Sequence, residues 1–268
     1  MLIWVCALHC EAKPVIDRYR LKKSPRAHAF DLYYGDDMLA VVSGVGKLAS
    51  NAACAWSAAH HAEQASLAWI NLGIAGAATH AIGSIFSLHQ VIDAEDGQRY
   101  YPAPASAGRL PGSACMTLAQ PGMDYSEDYL FDMEASGFMS ASLRFSSAEL
   151  VQAYKVVSDN HETGIGRDRA RVSELIAAQI DRVDEEAHAL LALDREMAAR
   201  QPPADSWDQL MSLSRFSVTQ QNRLRVLWRY LHNRNFDLDR LLEQLAGQPA
   251  GAIVEKLEQH SQQDGMGL

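Results

Sequence analysis

Two acidic segments are the places where this chain is best equipped to do chemistry. One is Asp132–Ala135, which reads D-M-E-A, and the other is Val156–Asn160, which reads V-V-S-D-N. A carboxyl group that follows an apolar, β-branched run is partly buried, and a buried carboxyl group keeps its proton more readily than an exposed one. Asp159 is therefore a candidate general acid, with a helix N-cap as the alternative. Glu134 needs a partner if it is buried, and a pair of neighbouring hydroxyl groups suits one carboxylate.

Two glycine-containing segments directly follow predicted strands. Ser43–Lys47 reads S-G-V-G-K and precedes an Ala-rich helix, and Asn71–Gly76 reads N-L-G-I-A-G after a buried strand. Glycine lets the backbone approach a ligand closely, and a helix N-terminus favours oxyanions or hydroxyls. In open α/β sheets, ligand sites lie at the carboxyl ends of strands. A tight strand-to-helix turn is the alternative explanation for both segments.

An α/β domain is needed to position these segments, and residues 1–160 show its alternation of β-rich and helical runs. The predicted helices are 11–19, 47–61 and 127–143. The predicted strands are 2–8, 32–34, 39–43, 67–72, 85–92 and 150–157. The order of these strands in the sheet does not follow from the pattern.

The remainder of the chain is predicted to be all-helical. Apolar residues recur at helical spacing over 170–200, and further helices are predicted at 219–234, 237–245 and 250–262. We therefore predict an α/β domain of residues 1–165 and a helical C-terminal extension of residues 166–268. Arg223, Arg225 and Arg229 share a predicted helix with Trp228, which indicates a solvated face beside a core tryptophan or a docking surface for a protein partner.

Composition excludes several classes of protein. The 268 residues are 48% hydrophobic and 21% charged with a formal net charge of −9, which is typical of a globular domain and unlike a protein that wraps nucleic acid. No apolar run reaches the roughly 18 residues that a membrane span needs. The spacing of the four cysteines matches neither a disulfide framework nor a zinc site, so we expect a cytoplasmic protein without a metal. The four are Cys6, Cys10, Cys54 and Cys115.

Taken in order, these segments resemble the purine nucleoside phosphorylase and nucleosidase superfamily. The succession S-G-V-G-K, N-L-G-I-A-G, D-M-E-A and V-S-D-N is similar to the family's order of motifs, and it covers roughly residues 1–160. Ala7–Glu11, which reads A-L-H-C-E, is similar to the glutamate-containing helix start of the methylthioadenosine/S-adenosylhomocysteine nucleosidases. The resemblance implies a three-layer phosphorylase-like core, with a mixed central sheet flanked by helices, to which the helical extension is added.

The resemblance implies hydrolysis of the N-glycosidic bond of a purine nucleoside or thionucleoside. Asp159 would protonate or hydrogen-bond N7 of the departing purine, and Glu11 would activate the attacking water. Glu134 would hold the ribose hydroxyls, and Met133 would pack on the sugar face. The other residues that the resemblance assigns to the substrate are Ser43, Gly44, Gly46, Gly73, Ile74, Gly76 and Ser158. It implies no cofactor, and it implies a homodimer.

The chain also departs from the family pattern. The interval from Gly76 to Asp132 is short for the family strands that hold the base, so the base-binding half is expected to be truncated. Tyr125 and Tyr129 are candidates to cover a base. Lys155 stands where the family often carries arginine.

Two alternatives to the hydrolase remain. A phosphorylase needs a cationic clamp for phosphate, yet Arg18 and Arg20 are spaced as solvent-facing helix residues, and Glu11 would repel the anion. The other alternative is a catalytically degenerate nucleoside-binding protein with a helical docking module. His161, close to Asp159, is a candidate secondary proton carrier.

Overall fold

The computed structural model describes residues 1–26, 28–62, 64, 66–104, 109–121, 128–160 and 168–263. The chain divides into two compact units, Met1–Asp194 and Arg195–Leu268. No helix in the described part of the chain is both long and apolar enough to cross a membrane.

The first unit is built on one mixed sheet. Parallel pairing joins β1 to β4 and β5, β10 to β5, and β8 to β6 and β9, and the other pairs are antiparallel. The strands, in chain order, are β1 (Leu2–Cys6), β2 (Lys22–Lys23), β3 (Asp31–Tyr34), β4 (Met38–Val42), β5 (Ala68–Ala77), β6 (Ile85–Asp93), β7 (Arg99–Tyr100), β8 (Gly112–Thr117), β9 (Leu130–Asp132) and β10 (Val151–Asp159). The order is β10-β6-β8-β9-β5-β1-β4-β3-β2, and β10 also pairs with β5, so five strands close into a barrel-like ring.

Helices cover both faces of this sheet. The helices of the first unit are α1 (His9–Tyr19), α2 (Lys47–His60), α3 (Ala135–Ser142) and α4 (Arg169–Ala177), followed by α5 (Ile180–Ala199). On β1, Ile3 and Val5 share a core with Ala53 of α2, whereas the Trp4 ring lies 5.7 Å from the Tyr19 ring of α1. Because successive side chains of a strand point to opposite faces, α1 and α2 lie on opposite sides. The predicted three-layer α/β class is confirmed.

The second unit is helical throughout its described residues. It contains α6 (Ala204–Ser212), α7 (Val218–Asn233), α8 (Leu238–Leu245) and α9 (Ala250–Gln263). The apolar stripe predicted for α7 is buried, and the Trp228 indole N–H donates to Ser206 Oγ at 3.1 Å. Leu224, Leu227 and Trp228 share one core with Leu241, Leu245, Ile253 and Leu257 of the neighbouring helices.

The first compact unit extends beyond the predicted boundary at residue 165. Asp184 of α5 accepts hydrogen bonds from Arg18 Nη2 at 2.5 Å and from Tyr19 Oη at 2.6 Å, which tie this helix to α1. Asp194 lies 3.6 Å from the terminal amino group of Met1. The helices up to Asp194 therefore complete the α/β unit, and the remaining helices form a core of their own.

Two predicted helices were wrong in their extent. The segment predicted as one helix over 127–143 contains the strand β9, and α3 begins only at Ala135. The stripe over 170–200 is divided between α4 and α5, because the chain turns at Ala178 and Gln179. Gly137 lies inside α3, where a Cβ would stand 1.9 Å from the carbonyl oxygen of Lys47. Glycine at this position lets α3 approach the start of α2.

Candidate active site

One cavity lies where β5 and β10 end and α1 and α3 begin. Its volume is about 180 Å³, and it opens to solvent on one side. Three acids lining it, Glu11, Glu134 and Asp159, come from three distant parts of the chain. The residues predicted from the sequence that line it are Glu11, Ile74, Gly76, Met133, Glu134, Ser158 and Asp159.

The other predicted substrate residues lie behind this lining. Among the described residues, the cavity wall does not include Ser43, Gly44, Gly46 or Gly73. Ser43 Oγ donates to the carbonyl oxygen of Gly44 at 2.8 Å, and the Gly44 N–H donates to Ala7 at 3.0 Å. Gly44 and Gly46 have φ angles of +85° and +105°, a region that favours glycine. These residues form a turn that supports the site, and their contact with a substrate stays a prediction.

Glu134 is held at the start of α3 by this turn. Its Oε1 accepts the Gly46 N–H at 2.8 Å, and its side chain is buried. Burial, together with the negative charge of Asp132, raises the pKa of Glu134 to about 7, while the Lys155 ammonium and the Gly46 N–H act in the opposite direction. Near neutral pH, this side chain is therefore present in both protonation states, so it can accept or donate a hydrogen bond.

Glu11 connects the first turn of α1 to β5. Its Oε2 accepts the Leu8 N–H at 2.8 Å, and its Oε1 accepts the Ile74 N–H at 2.9 Å. Burial raises the pKa of Glu11, and the Lys155 charge and these N–H groups partly offset that effect. Gly73 leaves room for the carboxylate, since a Cβ there would lie 2.9 Å from Glu11 Oε1. The carboxylate is therefore fixed in direction before any ligand arrives.

Lys155 is a buried cation that lies behind the acids. Its sequence position alone indicates no role for it at the site. Its Nζ lies 2.8 Å from Asp132 Oδ2, and both side chains are almost completely buried, at 1% and 0% exposed. Burial disfavours the charged form of Lys155, but Asp132 and Glu134 outweigh it and hold the lysine pKa above its ordinary value. A buried charge is retained in a protein only when it is paired, so a lysine within an apolar strand is the signal that predicts an acidic partner.

Asp132 is the residue that anchors this arrangement. Besides Lys155, it accepts the Ala135 N–H at 2.8 Å and the Thr117 hydroxyl at 2.7 Å. These contacts join the ends of β8 and β9 and the middle of β10 to the first turn of α3. Asp132 thereby sets the position from which Glu134 enters the cavity.

Asp159 is the last residue of β10. The strand pairing shifts register between Val157 and Asp159, and Asp159 then faces Gly76 of β5. Ser158 Oγ donates to Asp159 Oδ1 at 2.5 Å. A bulge of this kind re-aims side chains, which explains why Ser158 and Asp159 both line the cavity. The N-cap alternative is not observed in the described helices, because α4 begins at Arg169 with Asp168 as its N-cap.

The expected truncation between Gly76 and Asp132 was wrong. This interval contains strands β6, β7 and β8 and most of β9, and the segment after β8 forms one wall of the cavity through Leu118, Gln120 and Pro121. Of these strands, β6 was predicted, whereas β7, β8 and β9 were not, because they have two, six and three residues and are separated by turn-rich sequence. Tyr129 is described and does not appear in this lining, whereas Tyr125 and His161 lie outside the described residues.

Other candidate groups take no part in this cavity. Arg18 forms an ion pair with Asp184 at 2.5 Å, so it is committed to packing α1 against α5. The four cysteines are free and buried. Within the described ranges, no three histidine, cysteine or acidic side chains are grouped as a metal site would require.

Solved structures of nucleosidases share this fold. No protein-family model matches the chain. No curated protein matches it in sequence. The apo 5′-methylthioadenosine nucleosidase of Arabidopsis thaliana superposes with a TM-score of 0.59 at 15% identity, over 70% of this chain and 95% of that chain. The 5′-methylthioadenosine/S-adenosylhomocysteine nucleosidase of Streptococcus pneumoniae, solved with a transition-state inhibitor, superposes with a TM-score of 0.54 at 18% identity, over 71% of this chain and 98% of that chain.

A third structure gives the same result. The 5′-methylthioadenosine/S-adenosylhomocysteine nucleosidase of Neisseria meningitidis, in complex with methylthio-immucillin-A, superposes with a TM-score of 0.52 at 15% identity, over 66% of this chain and 96% of that chain. At such identities the likeness is one of fold. The chain therefore has the nucleosidase fold that the sequence motifs implied.

Proposed function

We propose that this protein hydrolyses the N-glycosidic bond of a purine nucleoside or thionucleoside. The observation that carries the proposal is the convergence of Glu11, Glu134 and Asp159 on one cavity, in a fold shared with nucleosidases. Glu11 precedes the other two acids by more than a hundred residues of sequence, and strand ends and helix starts bring all three together here.

Asp159 is the proposed general acid at the departing base. A purine leaves most easily as a neutral molecule, and a positioned acid that supplies the proton typically contributes about 10²–10⁴-fold in rate. The Ser158 hydroxyl donates to Asp159 Oδ1 and so fixes the orientation of the carboxyl group. This contact supports a directed role for the carboxyl group at the end of β10.

Glu134 and Glu11 are the proposed sugar-binding group and base. A carboxylate offers several lone pairs, so Glu134 can accept from both hydroxyls of a ribose while Oε1 keeps the Gly46 N–H. Glu11 is oriented by two backbone N–H groups and lies near the Lys155 charge, which favours the ionised form of its carboxyl group and opposes the effect of burial. An ionised, immobile carboxylate suits the task of taking a proton from water.

The charge of the cavity supports water rather than phosphate as nucleophile. Glu11, Asp132, Glu134 and Asp159 line it, and Lys155 is the nearby cation, already paired with Asp132. An excess of carboxylates stabilises the positive charge that develops on the sugar in the transition state. The same excess repels inorganic phosphate. Among the described residues, no arginine lines this cavity to offset that repulsion.

Three finer expectations accompany the proposal. A homodimer and a cytoplasmic location stay predictions. A protein partner on the C-terminal helices is a further prediction, supported by the exposed side chain of Val226 beside Arg225, whose guanidinium lies 5.5 Å from the Trp207 ring centre.

Release of adenine from 5′-methylthioadenosine, with and without inorganic phosphate, tests the proposal. We expect turnover without phosphate, and we expect Asp159→Asn to lose at least about 100-fold of it, since the general acid is removed. The matched control is Asp36→Asn, which makes the same change in an exposed turn and should leave turnover unchanged.

Other results would support the alternatives. Turnover that depends on phosphate would support a phosphorylase. A folded protein that binds a nucleoside without cleaving it would support the degenerate binding protein. Equal turnover in Asp159→Asn and the wild type would contradict the assigned acid.

A further inference from the structure

A second cavity lies beside the proposed active site. The two share Ala7 and Leu8 in their walls, so only the turn between β1 and α1 separates them. The second cavity has a volume of about 690 Å³, and it lies between the first turns of α1 and α4. The mechanism proposed above uses no side chain of this space.

The polar lining of the second cavity is mainly basic. Lys13 and Arg169 contribute two cations, and His9 contributes an exposed imidazole. In the part of the chain that the structure describes, no ion pair or hydrogen bond of the Arg169 side chain is observed. Lys13 is 54% exposed and shares its charge with Asp17 at 2.6 Å. Both cationic side chains are exposed, and a guanidinium without an ion-pair partner can bind a carboxylate or a phosphate through two hydrogen bonds.

One acid also lines the second cavity, and its charge is already offset. The carboxylate of Glu174 lies 3.4 Å from Arg171 Nη1, and the side chain of Glu174 is 68% exposed. Its negative charge is therefore screened by water and by its own partner. Lys13 is offset in the same way by Asp17, so the Arg169 guanidinium retains the larger influence on a bound group.

The charged side chains that line the two cavities are thus mainly of opposite sign. Glu11, Glu134 and Asp159 line the first, and its cation Lys155 is fully buried and paired with Asp132. A negative charge on a ligand is unfavourable in the first cavity, because carboxylates surround it there. The same charge is favourable near the Arg169 guanidinium, with Lys13 on the facing helix.

We propose that the second cavity binds a negatively charged substituent on the sugar of the nucleoside, a carboxylate or a phosphate, while the sugar and base occupy the first cavity. This inference rests on the proposed function, because it assigns the substrate class of the same site. The substituent passes the Ala7–Leu8 turn and meets the Arg169 guanidinium, which can bind either anion through two parallel hydrogen bonds.

Binding of three adenosine derivatives tests the inference. The probes are 5′-methylthioadenosine, which is neutral, adenosine 5′-carboxylate and adenosine 5′-monophosphate, titrated by calorimetry into a chain carrying Asp159→Asn to prevent turnover. We expect Arg169→Gln in that chain to weaken the two anionic probes by about tenfold and the neutral probe by less than twofold, since a charged hydrogen bond is lost. Whichever anion binds more tightly identifies the chemistry of the substituent. Arg182→Gln, an exposed arginine on α5, is the matched control and should change none of the three.

The outcomes separate the inference from the function beneath it. If Arg169→Gln weakens all three probes equally, or if the neutral probe binds as tightly as the anions, the inference is overturned while a nucleoside site remains. If the intact chain cleaves 5′-methylthioadenosine only with inorganic phosphate, and Arg169→Gln removes that dependence, the cavity holds a phosphate nucleophile and the inference is overturned. If no probe binds and no nucleoside is cleaved, the proposed function itself fails.

Discussion

Replacing Glu134 by glutamine should stabilise the fold and at the same time lower the proposed nucleosidase activity. Glutamine has nearly the shape of glutamate, and its Oε1 can still accept the Gly46 N–H seen at 2.8 Å. What the substitution removes is a carboxyl group whose burial and acidic neighbour raise its pKa from 4.5 to about 7. A raised pKa means that the folded chain holds this proton more tightly than the unfolded chain does.

The magnitude and its sign follow from proton linkage. Stability from the protonated Glu134 is fully present below pH 4.5 and is lost as pH rises to about 7, because the unfolded chain ionises first. One unit of pKa difference corresponds to about 1.4 kcal/mol, so the loss above pH 7 is about 3 kcal/mol. Glutamine does not ionise and avoids this loss. Glu134→Gln should therefore raise the free energy of unfolding by about 3 kcal/mol at pH 8 and by less than about 1 kcal/mol at pH 5.

Urea denaturation followed by circular dichroism at pH 5 and pH 8 measures this difference. Glu149→Gln, which replaces an exposed glutamate in a single 3-10 turn before β10, is the matched control and should change stability at neither pH. Adenine release by Glu134→Gln should fall by at least about tenfold, because the amide has fewer acceptor positions for sugar hydroxyls. A variant no more stable than the wild type at pH 8, or a gain that is the same at pH 5, would refute the reasoning.

Two further substitutions probe the supporting residues. Lys155→Met leaves its partner acid buried without a cation and should cost about 3–5 kcal/mol of stability in urea denaturation. Lys155→Arg keeps the charge and should cost much less. Equal losses in the two variants would show that the charge of Lys155 does not stabilise the fold. Gly73→Ala places a Cβ 2.9 Å from Glu11 Oε1 and should reduce both turnover and, by about 1–3 kcal/mol, stability. Unchanged turnover in Gly73→Ala would contradict the assignment of Glu11 as base.

The sequence was sufficient to predict which acids line the cavity, but not the buried lysine behind them. Glu134 and Asp159 stand next to recognisable strand ends, and their motifs occur in a recognisable order. Lys155 lies in an apolar run, and its partner Asp132 is remote along the chain. The contact between them depends on how β9 and β10 are placed by the closed ring, and no local pattern encodes that placement.

The errors in the helices and strands have similar causes. The turn between α4 and α5 is short, and Ala178 in it keeps α-helical backbone angles. The helical spacing of apolar residues therefore runs on from α4 into α5, and the sequence pattern does not reveal the turn. The strand β9 has three residues, too few for an alternating pattern to appear. Gly137 is unexplained in the sequence because its reason, the carbonyl of Lys47, belongs to another helix.

Closure of the strand ring also determines which sheet edges are left open to pairing with another chain. A sheet edge with unpaired backbone groups is a template for adding strands from other chains. Because β10 pairs with β5, the free edges among the described strands belong to β2 and β7, and each of these has two residues. The β2 strand consists of Lys22 and Lys23, both exposed, so an approaching copy of the chain meets two positive charges and too short a ladder to extend. The topology that assembles the site thus also protects the sheet against edge-to-edge aggregation.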